Sequence, residues 1–237
     1  MNISADIKKI KRKFLPENFT VTTWEALEPY FKTILEREIN SIIDLENWLK
    51  DMSELEAIVS EDACWRQIKM TCDTTDKTLE ESFTFFCMEI QPKLQTYADA
   101  LNKKLVNCVY TKELNQEKFY TYLRSVQKSI ELFREENIAI QAELSVMQQQ
   151  FGVISGSMTV EVNNKEYTLQ QAAKFFENPD RNLREEVYRK INERRLQDKE
   201  KLNNLYTQLI EKRHQIAVNA GFANYRDYKF EELGRFD

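Results

Sequence analysis

One histidine, His214, stands among the 237 residues. A His-Glu-x-x-His metal site needs two imidazoles one helical turn apart and a carboxylate to activate water, so these residues cannot build one. Four cysteines stand at 64, 72, 87 and 108 with no C-x-x-C pair, which argues against a disulfide framework or a thiolate metal site. They read as reduced, mostly buried thiols of a cytosolic chain. No G-x-x-x-x-G-K-[ST] or G-x-G-x-x-G string offers backbone amides to a phosphate. Gly152-Val153-Ile154-Ser155-Gly156 has its serine displaced from a nucleophile elbow, with no histidine near it in sequence, and reads as a helix end. Gly and Pro number only four each, and so few breakers in a charge-rich chain predict long helices.

No apolar run approaches the length of a membrane span. The opening MNISADIKKIKRKF has basic residues with no apolar core after them, so it does not read as a secretory signal. The formal net charge of −5 argues against nucleic acid as a general partner. Lys8, Lys9, Lys11, Arg12 and Lys13 form the one basic cluster and read as a solvated arm.

What is present is helical periodicity. Thr22-Thr23-Trp24-Glu25 fits a capping box, and Trp24, Leu27, Phe31, Ile34 and Leu35 follow at helical spacing, with Pro29 in the first turns or at a kink. Ile42, Leu45 and Leu49 form a second apolar series, and a third starts at Ser53. The string 71–78 reads as a helix end and a new cap, and Pro92 predicts a kink in the helix that follows. Apolar residues at 119, 122, 126, 130, 133, 140, 144, 147 and 151 predict one long helix. From Ile130 to Phe151 they form a heptad seam in which Asn137 fills a core position, to fix register or bind a partner group.

Then the period changes to two. Met158, Val160 and Val162 alternate with polar residues, Asn163-Asn164 is a turn, and a short strand runs through Tyr167. Two strands are marginal without cover. Thr168-Leu169-Gln170-Gln171 is another capping box. Asn178-Pro179 ends that short helix and starts the next, with Pro at the first helical position. A long charged helix then runs to Gly221, its expected C-cap, followed by ANYRDYKF and GRFD. The fold class expected is mostly α, with long antiparallel helices and one small β-hairpin near 157–168. The best internal boundary separates a helical region, 1–153, from the hairpin plus long helices, 154–237.

Three strings carry more than periodicity: FREENIAIQAEL, ISGSMTVEVNNKEYTLQQAAKFFENPDRNLREEVYRKINERR and RHQIAVNAGFANYRDYKFEELGRFD. With RKFLPENFTVTTWEALEPYF, WRQIKMTCDTTD and EIQPK, the chain from about residue 11 to 237 resembles the oligoendopeptidase F family, thimet-oligopeptidase-like zinc metallopeptidases. The resemblance implies a mostly helical cytoplasmic enzyme of about twice this length, with short peptide substrates admitted to a channel between two halves. It implies zinc in the C-terminal half, where metal and glutamate activate water against the scissile carbonyl. The zinc motif would lie beyond Asp237, so no catalytic or metal residue carries over and the substrate-binding residues stay unassigned. On this reading the segment is a helical wall of the channel, inactive alone, whose partner is the catalytic half. Arg226 and Tyr228 are conceivable substrate contacts, with packing the favoured role. The aromatics of 224–228 are expected to stand uncovered against that half. The other reading is a stand-alone helical module that binds protein or peptide without catalysis, motivated by the heptad seam.

Overall fold

A computed structural model describes residues 11–235, so Lys8, Lys9, Phe236 and Asp237 lie outside the described residues. The architecture is mostly helical, with one two-stranded antiparallel sheet among the described residues. The chain divides into two discontinuous units. The first comprises Met1–Trp65 and Lys93–Glu131, the second Arg66–Pro92 and Leu132–Asp237.

In the first unit, α1 (Trp24–Glu36) buries Trp24, Leu27, Phe31 and Ile34 on one face. Thr23, not Thr22, takes the N-cap position, and its side chain accepts no backbone amide of the first turn, so the expected capping box does not form. The apolar phase of the helix, beginning at Trp24, decides where the turn starts. Pro29 is accommodated inside α1, where Thr33 Oγ1 donates to its carbonyl at 2.8 Å. Trp24 stacks on Phe31 with ring centroids 5.8 Å apart, and Tyr97 tilts against both.

The carboxyl end of α1 is closed by two residues from elsewhere. Trp48 Nε1 donates to Ile34 O at 2.8 Å, and Lys104 Nζ donates to Leu35 O at 2.6 Å and to Arg37 O. A cation at orphan carbonyls suits the helix dipole. Burial, ahead of the charge of Arg37, lowers the pKa of Lys104.

The two apolar series from Ile42 and from Ser53 lie on one helix, α2 (Ile42–Cys72), because Leu45, Trp48, Met52, Leu55 and Val59 keep one buried stripe while Ser53 faces solvent. Glu54 on α2 collects three backbone donors, Lys13 N (2.8 Å), Phe14 N (3.0 Å) and Leu15 N (2.8 Å). It thereby pins the chain entering the domain and seats the buried Leu15. The unit is completed by α4 (Gln91–Asn107), a 3-10 turn (Val109–Glu113) and α5 (Gln116–Leu132).

In the second unit, Asp76 caps α3 (Lys77–Phe85), accepting from Thr78 N at 2.8 Å and Leu79 N at 3.4 Å, as the 71–78 string predicts. A π turn (Phe86–Ile90) follows, just before Pro92. Proline offers no amide to the carbonyl four residues back, so the widened turn is where the irregularity expected at Pro92 is absorbed.

The long helix expected from Phe119 to Phe151 is broken. α5 ends at Leu132, Phe133 and Arg134 leave helical geometry, and α6 (Glu135–Gly156) starts anew. The tertiary partner of this junction is the carboxyl end of α9 (Lys199–Asn219). Arg134 Nε donates to Asn219 O at 3.1 Å, and its Nη2 reaches Ala220 O at 3.4 Å. Asn137, 2% exposed, donates from Nδ2 to Ile216 O at 3.0 Å and accepts from Asn219 Nδ2 at 2.7 Å. Asn137 therefore fixes register, one of its two expected roles, although within two helices of one fold rather than along a coiled-coil seam. Leu144, Ile154, Leu205, Leu209 and Ile216 fill the α6–α9 interface.

The hairpin is β1 (Thr159–Val162) and β2 (Lys165–Thr168), with Val160 opposite Tyr167 and Val162 opposite Lys165. Asn163 and Asn164 have φ of 52° and 60°, the left-handed pair that a two-residue turn matched to strand twist demands. Its apolar face is covered by α7 (Leu169–Ala172), a 3-10 turn (Ala173–Glu177) and α8 (Arg181–Gln197), through Ala172, Phe175, Val187 and Ile191. The Thr168–Gln171 capping box forms in both directions.

Two expectations about 178–220 change. Asp180, not Asn178, is the N-cap of α8, because its carboxylate accepts from Asn182 N at 2.9 Å, and Pro179 falls just outside the helix. The long charged helix is interrupted at Asp198 (φ −97°, ψ 9°), whose carboxylate takes the Arg194 guanidinium at 2.5 Å. Gly221 (φ 88°) closes α9 as expected, with Phe222 N bonded to Ala217 O and Gly221 N to Val218 O, both at 2.9 Å.

Two predictions follow from these contacts. Glu54→Gln loosens residues 11–21, cutting amide-exchange protection there and costing about 1–2 kcal/mol, the lower part of the range for hydrogen bonds to a charged group because the site is partly solvated. Burial works to raise the Glu54 pKa, but the three amides outweigh it and the net shift is down. This contribution is present above the unfolded carboxylate pKa and is lost as pH falls through the lower folded value, so wild type and variant converge in acid. Asn137→Ala leaves the Asn219 amide without its acceptor and costs about 2 kcal/mol by urea denaturation.

Candidate functional site

His214 is exposed on α9. Among the described residues, no three His, Cys, Asp or Glu side chains are grouped to hold a metal ion. Zinc, which the family resemblance implies, therefore has no ligand set on these residues.

The aromatics near the carboxyl end are covered by the chain itself, contrary to the uncovered patch expected. Tyr228 on α10 (Tyr225–Glu232) is 3% exposed, edge-on to Phe222 at 5.7 Å and beside Tyr225 at 5.9 Å. Burial, ahead of the neighbouring Glu232, pushes its phenol up to about 12, so it stays neutral. Asn224 caps α10 by accepting from Asp227 N at 3.0 Å. Arg226 is exposed and paired with Asp227 at 2.8 Å. Tyr228 thus serves packing. The exposed apolar groups of this end are Phe230 and Leu233.

A concavity lies within the second unit. A groove of about 480 Å³ runs between α6 and α9, lined by Gln148 and Phe151 from α6 and by Leu202, Asn203, Leu205, Tyr206, Leu209 and Arg213 from α9. Leu205 and Leu209 form its buried floor, while Phe151 and Tyr206 stand exposed at its rim. Its lining is mostly apolar, with one cation, Arg213, and two amides, Gln148 and Asn203. Sequence reasoning missed it. Phe151 counts as a core position in the heptad reading, yet it is 58% exposed. The available signal was the width of the α9 stripe, where Tyr206 and Ile210 adjoin Leu205 and Leu209 and broaden the apolar face beyond what one neighbour covers.

The cysteines also differ from expectation. Cys64 and Cys72 are exposed, Cys108 is half-buried, and Cys87 is buried. Desolvation pushes the Cys87 thiol up to about 11. Thiolate is the reacting form. Cys64 and Cys72 are thus expected to label rapidly with a thiol reagent at neutral pH, and Cys87 only after urea unfolding, as peptide-mapped mass spectrometry would show.

Residues 14–133 match the profile of the Peptidase M3 N-terminal domain family. The fold is shared with a structure provisionally named oligoendopeptidase F from Bacillus anthracis str. Ames, at a TM-score of 0.85 and 18% identity. That likeness covers 96% of this chain and 42% of the other. A second structure provisionally named oligoendopeptidase F matches at a TM-score of 0.85 and 22% identity, over 96% of this chain and 40% of its own length. PZ peptidase A, solved with an inhibitor, matches at 0.85 and 21% identity, over 95% and 40%. The chain thus spans about two fifths of each of these structures. No curated protein is similar enough in sequence to count as a match.

Proposed function

The chain belongs to the peptidase M3 N-terminal domain family, and from that premise we propose that it is the N-terminal part of a cytoplasmic zinc metalloendopeptidase that hydrolyses short peptides. In this reading the segment forms a helical wall of the substrate channel. The regions 1–153 and 154–237 are its two organisational parts, and its partner is the C-terminal catalytic half of the same protein. The observation that carries the reading is the conjunction of family and length: the fold is followed over 95–96% of this chain but only 40–42% of the related structures. Zinc, where a catalytic half binds it, supplies Lewis-acid activation of water. The residues present here supply shape, caps and packing.

The unpaired cysteines, two of them exposed, suit a reducing compartment. No helix of the described residues is long and apolar enough to cross a membrane.

One observation favours the second reading, a non-catalytic binding module. Tyr228 and its neighbours are covered, and the carboxyl ends of α9 and α10 are both closed by glycine caps, at Gly221 and Gly234. On that reading, adding the catalytic half in trans leaves the melting temperature unchanged.

The purified 237-residue chain, given zinc and a fluorogenic short peptide, is expected to show no hydrolysis above a zinc-only control. Hydrolysis by the chain that a chelator abolishes overturns the assignment of the metal to a separate half. The reading also expects the natural reading frame to continue into a His-Glu-x-x-His motif, which intact mass of the natural product checks.

A further inference from the structure

We infer that the groove between α6 and α9 docks one amphipathic helix that carries a carboxylate opposite Arg213. The inference does not rest on the catalytic reading. It starts from geometry. Asn137, near the start of α6, meets Ile216 and Asn219 near the end of α9, while Phe151, near the end of α6, lines the groove with residues from the first half of α9. The two helices therefore run antiparallel, and side-chain ridges on such a pair leave a trough that a third helix can fill. From Leu202 to Arg213 the trough extends about 16 Å at helical rise, about three turns. That length suits anchors at i, i+4 and i+7.

Chemistry then selects the occupant. Leu205 and Leu209 give an apolar floor. Phe151 (58% exposed) and Tyr206 (62%) stand uncovered at its rim, and Ile210 (48%) follows one helical turn after Tyr206 on the same side of α9. Exposed apolar residues are ordinary singly, but gathered from two helices around one concavity they mark an interaction surface. Among the described residues, Arg213 is the one charged side chain lining the groove. Its guanidinium lies 5.9 Å over the Tyr225 ring, and no carboxylate among the described residues pairs with it. The adjacent cation, Lys212, is already tied to Glu143. A partner that covers the floor partly desolvates Arg213, and a negative group is needed there to offset that cost.

The test uses the full 237-residue chain and two labelled helical peptides of about four turns. Each presents leucine at i, i+4 and i+7, and they differ only in glutamate or lysine at the end that meets Arg213. By fluorescence anisotropy the glutamate peptide is expected to bind at least about tenfold tighter than the lysine peptide. Arg213→Glu is expected to reverse the preference, and Ile210→Asp to weaken both peptides with the thermal melt unchanged. Equal binding of the two peptides, no binding of either, or a preference that survives Arg213→Glu overturns the inference. So does self-association of the chain that Ile210→Asp abolishes, since the occupant is then a second copy. The readout is binding, so its failure is separable from any result on hydrolysis.

Discussion

The second unit depends on how one buried amide is satisfied. An asparagine in an apolar interface costs several kcal/mol unless its polar atoms are paired. Asn137 pairs both ends, to the Ile216 carbonyl and to the Asn219 amide. Only one axial alignment of α6 on α9 permits this. Arg134 adds a cation at the same helix terminus, where exposed carbonyls favour it. The need for Arg134 and Asn137 to reach α9 gives a physical reason for the chain to leave helical geometry at Phe133–Arg134. A continuous helix would turn these side chains with the seam rather than onto the end of α9. Hairpin, α8 and α10 are then attached to a helix pair whose register is already set.

This arrangement places the strings FREENIAIQAEL and RHQIAVNAGFANYRDY against one another, although they lie about 80 residues apart. Both contribute to the family resemblance, and their contact gives that resemblance a physical content. They are the two faces of a structural lock. The chemistry on these residues is correspondingly that of caps and clamps. Glu54 gathers three amides, Lys104 closes the end of α1, and Asp76, Thr168, Asp180 and Asn224 cap later helices.

Much of the fold was legible because local signals were strong. Two asparagines between alternating apolar residues specify a tight turn, and both adopt positive φ. Thr168 with Gln171 and the sequence up to Gly221 specify a cap and a stop. Where reading failed, the cause was non-local. The Thr22 box lost to the burial of Trp24, and the heptad seam lost to Asn137's partner on α9. The uniform charge of 181–220 hid the break at Asp198, a single side chain engaging Arg194. The groove was invisible for a related reason: periodicity says which residues are apolar, not how many neighbours are present to cover them.

The sequence by itself determined the helical class, the place and register of the hairpin, the helix ends with strong local caps (Asp76, Thr168 and Gly221), and the lack of a histidine pair for metal. These follow from backbone preferences and side-chain inventory, which act over a few residues. Tertiary structure alone decided that Tyr228 is covered, that Phe151 and Tyr206 are not, and that Arg213 faces an apolar trough without a carboxylate. Coverage is a property of what packs against a face, and a linear pattern carries the face but not its neighbour.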